Sequence, residues 1–154
     1  MMMFELPLQT QALIVAQVLL AGILGMIIGF DRERRHRDAG LRTMTLIAMG
    51  SCLFTTLSMV AFPGADPARV AAQIIPGMGF LGAGAIIKDG RSVHGLTTAA
   101  TMWVTAAMGM AIGTGNWFVG IGMTVIIWFV LVVLHRFKAK PMDPGEGGEE
   151  PLAD

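Results

Sequence analysis

Residues 11–30 read QALIVAQVLLAGILGMIIGF, an apolar run that is followed at once by the basic stretch DRERRHRDAGLR, residues 31–42. A helix needs about 20 mostly apolar residues to cross the hydrocarbon core of a bilayer. The run has that length and contains no charged side chain. It therefore predicts a membrane-spanning helix that ends where the arginines begin.

The rest of the chain has the same character. Of its 154 residues, 54% are hydrophobic and 14% are charged, whereas soluble domains carry about 25% charged residues. Four further apolar runs lack the alternating polarity of barrel strands, so they predict helices near residues 43–62, 70–87, 97–113 and 117–137. We therefore expect an all-α polytopic membrane protein with about five transmembrane helices.

The basic residues predict how these helices are oriented. Ten of the eleven lie in the loop 31–42, in the segment 88–91 or after residue 135. Five spans put these regions on one side of the membrane, and loops rich in Lys and Arg stay in the cytoplasm. We expect residues 1–10 to be a short periplasmic N-terminus and residues 138–154 to be a disordered, acidic cytoplasmic tail. The predicted location is the bacterial inner membrane.

Several classes of function are not supported by the sequence. No carboxylate lies in the middle of a span, where acids usually mark proton and cation pathways. The three histidines are far apart, and the single cysteine, Cys52, lies in an apolar run. We expect no metal site, no cofactor, no nucleic-acid partner and no enzymatic activity.

Neutral polar and small residues inside the spans have two interpretations. The polar ones either hydrogen-bond between helices or line a polar cavity; they are Gln17, Ser51, Thr55, Gln73, Thr101 and Thr105. Small residues repeat every four positions, which lets helix backbones approach closely within one chain or in a homodimer. They are Ala21, Gly25 and Gly29 in the first helix and Gly109 and Gly113 in the fourth.

The third segment contains GMGFLGAG at residues 77–84, directly after Pro76. The spacing G-x-G-x-x-G occurs in dinucleotide sites, but only between a strand and a helix, and here it lies in an apolar span. Pro76 predicts a kink, and the glycines predict a close-packed or broken helix. The segment with its neighbours is the candidate intramembrane site: Gln73, Pro76, Gly77, Gly79, Gly82, Gly84, Thr98 and Thr101.

A second candidate site is a polar cluster at the cytoplasmic ends of the helices. Arginines there hold the loop in the cytoplasm and meet anionic lipid heads, but the acids among them are not needed for that. Asp31 and Arg42 flank neighbouring helices and are expected to pair. The whole cluster comprises Asp31, Arg32, Glu33, Arg42 and Thr43, joined by Lys88 and Asp89.

Several motifs, in this order, resemble the MgtC/SapB family of bacterial membrane proteins over residues 15–115. They are G-x-[DE]-R-E-R, AGLRT, DPARVAAQIIPGMGFLGAGAIIKDG and VHGLTTAATMWVTAAMGM. The resemblance implies five helices in the inner membrane and the short form of the family, without a C-terminal soluble domain. Asp31 stands where the family more often has Glu, and Pro76 replaces a small or aliphatic residue.

The resemblance also implies a function and a set of residues. Similar proteins support virulence and growth in low magnesium by binding other membrane proteins, including the F-type ATP synthase, rather than by carrying Mg²⁺. The positions that match the family motifs are Gly29, Asp31, Arg32, Glu33, Gly40, Leu41, Arg42, Thr43, Asp66, Gln73, Gly77, Gly79, Gly82, Gly84, Gly90, Gly95, Thr98 and Ala99.

Two functions remain open at this point. The first is a regulatory or stress-adaptive role exerted through a membrane protein partner, with the lipid bilayer and a second copy of the chain as further contacts. The alternative is a small channel or transporter whose polar path lies between the third and fourth helices.

Overall fold

The computed structural model describes residues 6–62 and 64–136, except for the side chains of His135 and Arg136. The predicted tail, residues 138–154, and half of the predicted N-terminal segment lie outside this part of the chain. Five α-helices form the fold. They are α1 (Leu8–Arg34), α2 (Leu41–Val60), α3 (Ile74–Gly84), α4 (Leu96–Gly113) and α5 (Trp117–Arg136).

The core lies where α1, α2 and α4 meet. Glycines allow these backbones to touch: a Cβ on Gly25 would come within 2.8 Å of the Ala48 Cβ atom, and one on Gly113 within 2.6 Å of the Cys52 carbonyl oxygen. The small-residue rows of the sequence therefore serve packing within the chain. Large side chains fill the remaining space and are almost completely buried, namely Ile28, Met44, Met108 and Ile112.

The third helix is shorter than predicted. It begins at Ile74 after a 3₁₀ turn at Ala71–Gln73 and ends at Gly84. Its 11 residues are about 16 Å long at 1.5 Å per residue. The other four helices are long and apolar enough to cross a membrane.

Successive helices run in opposite directions. Gly29 meets Leu41 where α1 turns into α2, and Gly82 of α3 lies against Ala99 of α4. Despite its length, α3 thus returns the chain from the end of α2 to the start of α4. The loop 35–40, the end of α3 and the start of α4 lie at one end of the molecule, as the charge distribution predicts.

A small antiparallel hairpin, which the sequence did not predict, joins α3 to α4. Its strands are β1 (Ile87–Asp89) and β2 (Ser92–His94). Gly95 then takes a φ of 84° and begins α4. A Cβ at this position would overlap the Ala85 carbonyl oxygen, so the tight connection requires glycine.

Candidate functional site

The side chain of Arg32 links the two predicted sites. It is 2% exposed and emerges from the last turns of α1. Its Nε donates to the Ala39 carbonyl oxygen at 2.8 Å, and its terminal nitrogens donate to the hydroxyl oxygens of Thr98 at 2.6 Å and Thr101 at 3.2 Å. One guanidinium therefore ties α1, the following loop and α4 together.

The oxygens that Arg32 contacts are all neutral. In the part of the chain that the structure describes, no carboxylate lies within ion-pair distance of it. The Thr101 hydroxyl donates a hydrogen bond to the Thr97 carbonyl oxygen at 2.6 Å. Its oxygen is therefore oriented to accept a hydrogen bond from Arg32. Hydrogen bonds from a charged donor are stronger than neutral ones, and here they replace a counter-ion.

Glu33, the next residue, fixes the start of α2. Its Oε2 atom accepts a hydrogen bond from the Leu41 backbone N–H at 2.8 Å. The first N–H groups of a helix have no partner within the helix, and a negative charge there is favourable. A Cβ on Gly40 would lie 2.8 Å from the same Glu33 oxygen. The motifs around residues 29–33 and 39–43 thus form one latch between α1 and α2.

The remaining cluster residues are arranged differently from the prediction. Asp31 pairs with Arg35, whose Nε lies 3.0 Å from both carboxylate oxygens. The expected pair of Asp31 with Arg42 does not form, because Arg35 follows one turn later on the same helix face and Arg42 is exposed to solvent.

Three other predicted cluster members lie apart from the Arg32 network. Lys88 and Asp89 are exposed on β1, and among the described residues neither one bonds to Arg32 or Glu33. The hairpin turns them away from the cluster. Thr43 lines a surface groove beside Asp38 and Thr98, on the outer side of the latch.

The predicted intramembrane residues fall into two groups. Thr98 and Thr101 face α1 and bind Arg32, whereas most of the α3 glycines face outward. A Cβ on Gly77, Gly79 or Gly84 would meet nothing within 4 Å. A close-packed or broken helix was predicted here, and of the α3 glycines only Gly82 has a close neighbour: an added Cβ would lie 3.4 Å from the Ala99 Cβ atom.

Pro76 does not kink α3, contrary to the prediction. It is the third residue of the helix, where a backbone N–H has no partner within the α-helix in any case. The irregular helix geometry in this segment lies instead in the 3₁₀ turn before Ile74. Proline therefore costs little at this position.

An apolar groove of about 460 Å³ runs between α2 and α3. Gly50 and Phe54 of α2 form one side, and Gln73, Gly77 and Leu81 form the other. The Gln73 side chain is exposed, and in the described part of the chain its amide has no hydrogen-bond partner. Two predicted site residues, Gln73 and Gly77, are thus brought together on a surface.

Sequence reasoning missed the Ala39 carbonyl and Arg35 as members of the cytoplasmic cluster. Thr98 and Thr101 are three residues apart and therefore lie on one helix face. This spacing was a usable sequence signal that the two hydroxyls accept hydrogen bonds from one buried donor. Arg32 follows Gly29 by three residues and so shares the face of the small-residue row, which was a usable signal for the donor itself.

The titratable groups that the structure describes are dispersed. Among the described residues, no three His, Cys, Asp or Glu side chains lie close enough together to hold a metal ion. The arrangement can anchor helices and present grooves to the membrane.

Comparison with known proteins identifies the family. The family model described as the MgtC family matches residues 18–140. The chain belongs to the MgtC family. Its apolar helices and its MgtC-family relatives make it a multi-pass bacterial membrane protein. No solved structure matches it.

MgtC-family relatives match most of the chain. It is 43% identical over 137 residues to "Putative magnesium transporter YhiD" of Escherichia coli strain K12, an alignment that covers 84% of this chain and 64% of YhiD. It is 54% identical over 95 residues to protein MgtC of Brucella abortus strain 2308, covering 62% of this chain and 40% of that protein. For protein MgtC of Salmonella typhimurium strain 14028s the identity is 43% over 122 residues, covering 79% and 52%. The chain thus spans roughly half the length of these relatives.

Proposed function

We propose that this protein is a non-enzymatic membrane regulator in magnesium-related adaptation and that it binds a transmembrane helix of another membrane protein. The MgtC-family match and the magnesium-related name of the YhiD relative support a magnesium-related membrane function. The regulatory mechanism and the partner are the proposal. The binding surface we assign is the groove between α2 and α3.

The observation that carries the proposal is the bare backbone of α3 at Gly77, which lines the groove. A Cβ added to Gly77 would meet nothing within 4 Å, so a larger side chain would fit there without a clash. In membranes, glycine is enriched where a second helix approaches closely. The groove at Gly77 is therefore the kind of surface that receives a helix.

Gln73 adds a polar contact to this surface. Its amide can donate two hydrogen bonds and accept two, yet none is formed in the described part of the chain. A polar side chain in an apolar groove gains free energy when a partner helix supplies the missing group. We therefore expect the partner to carry a bulky apolar residue against Gly77 and a polar one level with Gln73.

The interior of the protein supports regulation over transport. The centre of the helix bundle is filled by side chains that are less than 2% exposed, among them Met44, Thr105 and Met108. The Thr105 hydroxyl is turned to the Thr101 carbonyl oxygen at 2.7 Å. An ion path through the core would require α1, α2 and α4 to separate at their closest contacts.

The groove is tested by substituting Gly77→Leu in the full chain. A deletion strain of the source bacterium, grown at limiting magnesium, would receive the wild type or the variant on a plasmid. We expect the variant to reach wild-type abundance in the membrane but to fail to restore growth, because leucine occupies the place of the partner helix.

Gly122→Leu is the matched control. Gly122 lies in α5, and a Cβ added there also meets nothing within 4 Å, so the same bulk is added to a different face. It should restore growth. Full growth with Gly77→Leu would refute the groove as a functional surface.

A magnesium transporter is the second candidate function. It is favoured by the name of the YhiD relative, "Putative magnesium transporter YhiD", and by a polar row on α4, formed by Thr98, Thr101 and Thr105. Thr101 and Thr105 are buried in the core, whereas Thr98 also lines a surface groove beside Leu81 and Gly84 of α3. Only this end of the row lies on the path between α3 and α4 that the sequence suggested.

A further inference from the structure

A second groove, on a different face, lies between α1 and α5 at the arginine-rich end of the molecule. Its volume is about 530 Å³, and it is lined by Met26, Ile27, Phe30, Asp31, Arg34, Leu41, Trp128 and Val132. Ile27 and Trp128 also line a neighbouring depression of about 250 Å³ that begins at Ile121. The two together form a continuous apolar channel along the outside of the bundle.

The length of this channel matches one leaflet of a bilayer. From Ile121 to Val132 it follows twelve residues of α5, which rise by about 16 Å at 1.5 Å per residue. The hydrocarbon core is about 30 Å thick, so one leaflet contributes about 15 Å. An acyl chain of the leaflet at the arginine-rich end therefore fits the part of the channel from Val132 to about the middle of α5.

The mouth of the channel is lined by Asp31 and Arg34, and only the acid has an ion-pair partner among the described residues. Arg34 lies over the Phe30 ring, with its guanidinium carbon 5.3 Å from the ring centre, and in the described part of the chain it has no carboxylate partner. The nearby acid, Asp31, is already held by Arg35 through both of its oxygens. The free guanidinium fork suits a phosphate group, which it can bind through two parallel hydrogen bonds.

A second unused donor lies further inside. The Trp128 side chain is 45% exposed, and its indole N–H, which can only donate, has no acceptor among the described residues. The α2–α3 groove, by contrast, has no charged residue in its lining, so the two surfaces suit different occupants.

We propose that the channel between α1 and α5 binds one anionic phospholipid of the leaflet at the arginine-rich end. Its phosphate lies on Arg34, and one acyl chain runs along Ile27 and Trp128 towards Ile121. This site is independent of the partner groove, since it uses other helices and another chemistry.

Fluorescence quenching of Trp128 tests the proposal. The chain has three tryptophans, so Trp103→Phe with Trp117→Phe leaves Trp128 as the only emitter. The protein is placed in phosphatidylcholine vesicles that contain an equal small fraction of either brominated phosphatidylglycerol or brominated phosphatidylcholine. One favourable charge near the surface predicts roughly fivefold enrichment of the anionic lipid at the site, and hence stronger quenching by it.

Arg34→Gln should abolish this preference, and Arg34→Lys should retain much of it. Arg91→Gln, which removes the same charge from the exposed hairpin, should leave the preference unchanged. Ile27→Phe, which fills the channel while Arg34 remains, should also reduce it, so the test does not rest on one variant. Melting temperatures in detergent identify any variant that fails to fold.

Three results would overturn the proposal. The first is equal quenching by the two brominated lipids in the protein with Arg34 intact. The second is a preference that survives Arg34→Gln or falls equally with Arg91→Gln, which indicates general surface charge. The third is full relief of the quenching by soluble glycerol phosphate, which indicates a site for the free anion rather than the lipid.

Discussion

At the scale of single residues, Arg32 has the largest number of structural roles. The sequence places five arginines in the loop 31–42, and the positive-inside rule explains them all in the same way. The structure shows that three of them have different environments. Arg32 is buried against neutral oxygens, and Arg35 pairs with Asp31. Arg34 has no carboxylate partner among the described residues. Sequence reasoning predicted the cluster but not these assignments, because they depend on which helix faces meet.

Replacing Arg32→Met should destabilise the protein. Methionine keeps the apolar stem but removes the bonds to Ala39, Thr98 and Thr101, and hydrogen bonds from charged groups contribute about 1.5–3 kcal/mol each. The net loss should be smaller than their sum, about 1–3 kcal/mol, because a buried charge without a counter-ion is costly in itself. Thermal unfolding in detergent measures it, with Arg91→Met as the exposed control. An unchanged or raised melting temperature would mean that the free-energy cost of burying the charge equals or exceeds the free energy that its hydrogen bonds contribute.

The glycines of the core are a second residue-scale test. A Cβ on Gly109 would overlap the Ser51 hydroxyl and the Ala48 carbonyl oxygen, so Gly109→Ala should push α2 and α4 apart. Overpacking of this kind costs about 1–3 kcal/mol. Gly122→Ala, in open space, should be neutral or stabilising because alanine favours helix. Equal melting temperatures for the two variants would contradict the close contact of α2 with α4.

At the scale of elements, the long apolar runs were predictable and the third segment was not. In lipid, an uninterrupted apolar run of about 20 residues forms a helix, because its backbone polar groups must be hydrogen-bonded within the segment. Helices α1, α2, α4 and α5 were therefore predictable from composition. The run 70–87 is glycine-rich, and it divides into a 3₁₀ turn, a short α-helix and the start of a hairpin. Periodicity does not distinguish these alternatives, because all three are apolar.

The position of Pro76 in the first turn of α3 gives an element-scale prediction. Pro76→Ala should change the free energy of unfolding by less than about 1 kcal/mol, since no hydrogen bond within the helix is gained. A proline in a helix interior would cost about 3 kcal/mol. Thermal unfolding of the variant distinguishes the two cases. A rise in stability of that size would show that proline strains the helix after all.

At the scale of the whole molecule, the charge distribution predicted that the loop after α1 and the segment before α4 lie at the same end. The α3 helix alone is too short to cross a bilayer, yet the helix directions alternate, and the basic loop 35–40 and the hairpin share one end. The orientation of that end towards the cytoplasm stays a prediction from the positive-inside rule. The candidate surfaces could not be predicted from the sequence, because a groove is a property of two helices and their spacing.

The non-transporting role is tested most directly by magnesium uptake into proteoliposomes that contain the purified full chain and an internal Mg²⁺ indicator. An inward magnesium gradient and an imposed negative membrane potential provide the driving force, an ionophore gives the full signal, and protein-free vesicles give the background. Because the core is filled and its helices are in contact, we predict uptake equal to that of protein-free vesicles. Saturable uptake that rises with the amount of protein per vesicle would contradict this role and establish a transporter.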